Sequence, residues 1–111
     1  MRRSTTAVLE RGTPLGAEFA TEPYEAGWAS EALVFLRLVD APPGTTVESR
    51  LQLSPDGMHW VDAGTTLPLL SGDDDLVFGR LREFGNWLRV AGTVSPAGAE
   101  ARVLIYLVVK E

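Results

Sequence analysis

Turn-forming residues punctuate this chain from one end to the other. Eleven glycines and seven prolines are spread over 111 residues, and the runs between them are short and rich in Val, Leu, Thr, Phe and Trp. Runs of that kind suit a pleated surface, and frequent turn signals between them point to a sandwich or barrel. No segment shows a sustained helical period with caps at both ends. Residues 76–84 have the best helical spacing and read equally well as a strand.

Local pattern places most of the strands. Residues 6–11 form a first strand ended by Gly12 and Pro14, and residues 17–21 a weak second one. Residues 22–30 read as a loop. The run Ala32-Leu33-Val34-Phe35-Leu36 within residues 31–40 is apolar on both faces, the mark of a strand covered on both sides. Ala41-Pro42-Pro43-Gly44 then forces a turn. Residues 46–53 alternate, with Val47, Ser49, Leu51 and Leu53 on one face and Glu48, Arg50 and Gln52 on the other. Ser54-Pro55-Asp56-Gly57 is the sharpest turn signal, because Pro presets φ, Asp bonds its own backbone and Gly accepts positive φ. A hairpin strand is expected over residues 58–63, with Trp60 and Trp87 as core residues. Residues 86–94 and 99–110 supply two more strands, separated by Ser95-Pro96-Ala97-Gly98.

The last strand carries a second apolar run. Ala101, Val103, Ile105, Leu107 and Val109 share one face, and Leu104, Tyr106 and Val108 make the other face apolar as well. A two-layer sandwich gives each strand one internal face. The outer faces of residues 32–39 and 103–109 therefore need a cover: a loop, the N-terminal segment or another subunit. Another subunit is the favoured cover, which makes a homo-oligomer or a larger particle the expected state.

Composition narrows the function. A chain of this length fits one domain with one core. It has no Cys, so it has neither disulfides nor a thiolate metal site. The net charge is −5 with ten basic residues scattered along the sequence, so no nucleic-acid partner is expected. No run approaches the roughly 20 apolar residues of a bilayer span, and Glu10 and Arg11 interrupt the N-terminal segment too early for a secretory signal. No membrane partner is expected either.

Chemical constellations are sparse. His59 is the single histidine. It can belong to no multi-histidine metal site, and as a general base its nearest orienting carboxylate in sequence is Asp62. Asp73, Asp74 and Asp75 offer hard oxygens for calcium, but read better as a solvated loop. Gly12 and Gly16 lack the Lys-Ser/Thr and the helix of a phosphate loop. Asp40, Glu48, Asp56 and Asp62 carry no spacing that singles out a glycosidase pair. The expectation is no enzyme, no catalytic residue, no cofactor and no metal. Tyr24 and Trp28 lie in a loop and are candidates for contact with protein or sugar.

From residue 12 onward the chain resembles small β-sandwich structural proteins of tailed phages and prophages. The likeness rests on a strand reading ALVFLRL, a strand and turn reading LQLSPDGMHW, a strand reading NWLRV and a last strand ending LVVK. The stretches SPDGMHW and NWLRV also resemble the core strands of discoidin-like jelly rolls, which bind carbohydrates or lipids. The chain departs from the discoidin pattern in being shorter and lacking Cys, and from the phage pattern at Ala41-Pro42-Pro43-Gly44. The expected fold is all-β, an antiparallel β-sandwich of jelly-roll type with about eight strands. Residues 1–16 would form an N-terminal arm and first strand, and residues 17–111 the sandwich domain. The resemblance implies a non-catalytic component of a virion or phage-like particle assembled in the bacterial cytoplasm. A capsid decoration (cement) protein bound to the major capsid or another particle protein is the leading role. Arg2, Arg3, Arg11, Tyr24, Trp28, Leu104 and Tyr106 are the expected partner contacts. A carbohydrate-binding module using Tyr24 and Trp28 is the alternative.

Overall fold

A computed structural model describes residues 3–82 and 84–111. Among these the chain forms nine strands: β1 (Ser4–Leu15), β2 (Glu18–Ala20), β3 (Tyr24–Glu25), β4 (Glu31–Asp40), β5 (Thr46–Ser54), β6 (Val61–Thr66), β7 (Leu76–Arg82), β8 (Trp87–Ser95) and β9 (Ala101–Lys110). They build two antiparallel sheets. One has the order β1-β9-β4-β7, and the other has the order β2-β8-β5-β6 with β3 also paired to β8. Successive strands mostly cross from one sheet to the other, and the interleaved order is that of a jelly roll.

The core lies between the sheets and follows the alternation of the sequence. Ala101, Val103, Ile105, Leu107 and Val109 of β9 are all fully buried, facing Val47 and Leu51 of β5 and Val90 of β8 across the interior. Val34 and Leu36 of β4 join them. A run with period two places every second side chain on one face, so these positions are fixed once the pairing register is set.

Several local expectations change. β1 runs from Ser4 to Leu15 instead of over residues 6–11, because two irregularities in its pairing with β9 carry the strand past Gly12 and Pro14. The segment read as an N-terminal arm and first strand contains β1, an edge strand of the four-stranded sheet. Residues 22–30 contain the two-residue strand β3, paired with Trp87 and Leu88. Residues 76–82 form a strand, not a helix, since all seven pair with β4. β6 starts at Val61, and residues 58–60 belong to the turn.

That turn is tied by side chains. Ser54 Oγ accepts the Asp56 and Gly57 amides at 3.2 and 2.8 Å, and Asp56 Oδ1 accepts the Met58 and His59 amides, each at 2.9 Å. Gly57 takes φ 80° at its bend. Trp60 and Trp87 stay outside the buried cluster. Trp87 alternates with the inward Leu88 and points away from the core, beneath Gly57. The longer turn takes Trp60 out of the hairpin ladder and leaves it under Arg89.

Candidate functional site

The two outer faces differ in chemistry. On the five-stranded sheet the register sets Arg89, Gln52 and Asp62 side by side across β8, β5 and β6. Asp62 Oδ1 accepts Gln52 Nε2 at 2.8 Å and Arg50 Nε at 3.1 Å, and Gln52 Oε1 accepts Arg89 Nε at 2.8 Å. The Arg89 guanidinium lies 4.3 Å from the Trp60 ring centre. The Gln52 hydrogen bond, then that of Arg50, holds the Asp62 carboxyl below its ordinary range. Burial, then the charge of Arg50, lowers Arg89. This face is polar and internally paired.

The outer face of the four-stranded sheet is apolar at its centre. Val8, Tyr106, Phe35 and Phe78 stand in one row across β1, β9, β4 and β7. The next row toward the Lys110 end contains Thr6, Val108, Leu33 and Arg80, and the next row the other way contains Arg11, Leu104, Arg37 and Leu76. Phe78 is 47% exposed, Leu76 55% and Val8 37%. Leu33, Phe35, Leu104, Tyr106 and Val108 are half-buried by one another. The Phe35 and Phe78 rings meet at 5.9 Å between centres. A shallow depression of about 210 Å³ opens at the Lys110 end, between Leu33, Val108, Arg80, Arg82, Glu31 and Lys110.

The strands that carry a second apolar run, β4 and β9, are the two central strands of this sheet. β1 widens the sheet beside β9 and does not lie over the face. Leu104 and Tyr106, expected as partner contacts, sit in its middle. Arg11 is exposed at one margin, held on a bulge where Glu10 Oε2 accepts the Arg11 and Thr13 amides at 2.7 and 3.2 Å. The sequence reading missed Val8, Leu76 and Phe78. Their neighbours on the face come from distant strands, and local alternation does not reveal which strands adjoin.

The remaining candidates lie elsewhere. Arg2 falls outside the described residues. Arg3 sits 3.7 Å over the Trp28 ring, and Trp28 and Tyr24 both pack partly against the core. One face of the Trp28 ring is thus taken by a guanidinium, and both rings help close the sandwich. His59 is exposed, and its Nδ1 lies 2.6 Å from Asp56 Oδ2, not near Asp62. Ser54 Oγ donates to Asp56 Oδ1 at 3.0 Å. A nucleophilic triad places His between Ser and Asp; here Asp stands between the other two, so the histidine has no hydroxyl to activate. Asp73, Asp74 and Asp75 are exposed in a bend closed by the Asp74 amide on Ser71 Oγ at 3.2 Å. Among the described residues no group of three or more acidic or histidine side chains is placed to hold a metal.

With the geometry in hand, comparison with known proteins is informative at the level of fold. No protein-family model and no curated protein matches this chain. A solved structure does match. It is the SPBc2 prophage-derived protein YomS, with a TM-score of 0.66 and 12% identity, covering 100% of this chain and 96% of that one. At that identity the likeness shows the fold: the whole chain shares the architecture of a prophage protein from end to end.

Proposed function

We propose that this chain is a non-catalytic structural component of a phage-like particle, a decoration protein that docks on an assembled shell in the bacterial cytoplasm. The observation that carries this reading is the apolar face spanning all four strands of one sheet. Burial of such a face stabilises by roughly 25 cal/mol for each Å² removed from water, and a protein that works alone has no use for leaving it wet. A particle repeats one contact many times, so a modest interface at each site is enough. The full-length likeness to a prophage-derived protein supports the same reading, as fold-level analogy.

The test uses particles released by the bacterium that carries the gene, with the gene intact and deleted. The chain should sediment with the particles in regular stoichiometry. Particles lacking it should lose their genome at lower temperature or on milder osmotic shock. A chain that stays wholly in the soluble fraction beside particles of unchanged stability overturns the proposal.

A further inference from the structure

Six of the ten Lys and Arg residues of the chain, Arg11, Arg37, Arg80, Arg82, Arg102 and Lys110, point outward at the two ends of the apolar face. They are scattered in sequence and are brought together by register alone. The acids in the same rows are Glu31, whose Oε1 lies 3.1 Å from Arg82 Nη2, and Asp40, opposite Arg102. The whole chain carries −5, whereas within these paired rows six cations stand with two carboxylates, so the strands of this face are basic against the sign of the molecule. We propose that it recognises a folded partner protein whose contact surface is apolar in the middle and rich in carboxylates at its margins. This rests on the reading of the chain as a particle component and names the chemistry of the surface it docks on.

Size and shape favour such an occupant. Four strands about 4.8 Å apart and some five outward rows about 7 Å apart give a plan area on the order of 500 Å². Side-chain relief raises that toward the roughly 800 Å² per partner of a standard interface. A second copy of the chain fits less well. Turned face to face with strands reversed about the central row, it would set Arg102 against Lys110 and Asp40 against Glu31, like charge on like. Nucleic acid asks for basic groups at the centre to meet phosphates and free aromatic faces to stack on bases. Here the central row of Val8, Tyr106, Phe35 and Phe78 carries no basic group, and Phe35 and Phe78 pack on each other. A lipid surface asks for side chains that protrude several Å into the acyl boundary, and the centre of this face, Leu33, Phe35, Leu104, Tyr106 and Val108, is already half-buried.

The experiment adds purified chain to particles made without its gene. Binding should weaken about tenfold or more between about 50 and about 300 mM salt, as interactions at an exposed rim are screened. The Arg37→Glu/Arg80→Glu double variant should bind about tenfold or more weakly at low salt. Leu76→Ser/Phe78→Ser should remove binding at all salt concentrations. All replaced side chains are exposed, and unchanged thermal midpoints would show that lost binding is not lost fold. Wild-type binding that ignores both salt and the arginine changes overturns the proposed chemistry and leaves the particle reading standing. No binding of the wild type to the gene-deleted particles overturns both. The proposal also fails if light scattering shows a dimer that Phe78→Ser dissociates. It fails equally if duplex or single-stranded oligonucleotides, or equimolar phosphatidylserine–phosphatidylcholine vesicles, capture the chain through the same arginines.

Discussion

Gly92 lies on β8 with its α-carbon turned toward the neighbouring strand, where an added β-carbon would stand 2.3 Å from the Glu48 carbonyl oxygen and 2.7 Å from Phe19 Cζ. The oxygen belongs to the β5 backbone and cannot retreat without loosening the β5–β8 ladder. Gly92→Ala should therefore cost about 3 kcal/mol, at the upper end of ordinary overpacking, read as a fall in denaturant midpoint at unchanged slope. At Asp56 the physics is electrostatic. The amides of His59 and Met58, and then the His59 side chain, hold its carboxyl well below its ordinary value of 3.8. A carboxyl that titrates lower in the folded than in the unfolded chain contributes stability above its unfolded pKa and loses it as pH falls toward the folded one. The thermal midpoint of the wild type should exceed that of Asp56→Ala at pH 7, and the gap should close as pH falls below 3.8. A gap that stays constant to pH 2 would remove the carboxylate from the account.

At the scale of strands, legibility depended on how local the cause was. β4 was readable to its ends, because a continuous apolar run closed by a Pro-Pro-Gly turn fixes both limits. β9 was readable as a continuous apolar run ending at Lys110, with its start set two residues too early. β3 was not, since two residues carry no period and are held by Trp87 and Leu88 from far along the chain. β1 shows the same limit in another form. Pro14 reads as a strand end in isolation, yet a bulge accommodates it in an edge strand, and pairing with β9 continues to Leu15. A boundary at residue 17 therefore cuts through the four-stranded sheet. The truncated chain 17–111 would expose the edge of β9, a strand whose inward residues are all fully buried. It should fail to give a cooperative melt and should aggregate through that edge. A soluble truncation with the parent's midpoint would contradict this.

Across the whole molecule, the sequence revealed that β4 and β9 had more apolar side chains than one interior could take. It did not reveal that the two strands are neighbours, nor that Val8 and Phe78 extend their surplus across the sheet, because strand order is a long-range property. The same gap hid the charge pattern: ten basic residues look dispersed along the chain, and six meet on one face only after the strands are ordered 1-9-4-7. The candidate surface was thus visible as an excess of apolar residues and invisible as a shape. Its physical consequence can be measured without any partner. An exposed apolar surface on a well-packed protein should bind a hydrophobic dye such as anilinonaphthalene sulfonate, a property otherwise typical of loosened states. The Leu76→Ser/Phe78→Ser variant should lose most of that fluorescence. Both side chains are about half exposed and contribute little to the interior, so the thermal midpoint should stay within about 2 °C of the wild type, as expected for surface changes of a few tenths of a kcal/mol. Undiminished dye binding would place the apolar surface elsewhere, and a large drop in midpoint would mean that these residues serve the fold and not the face.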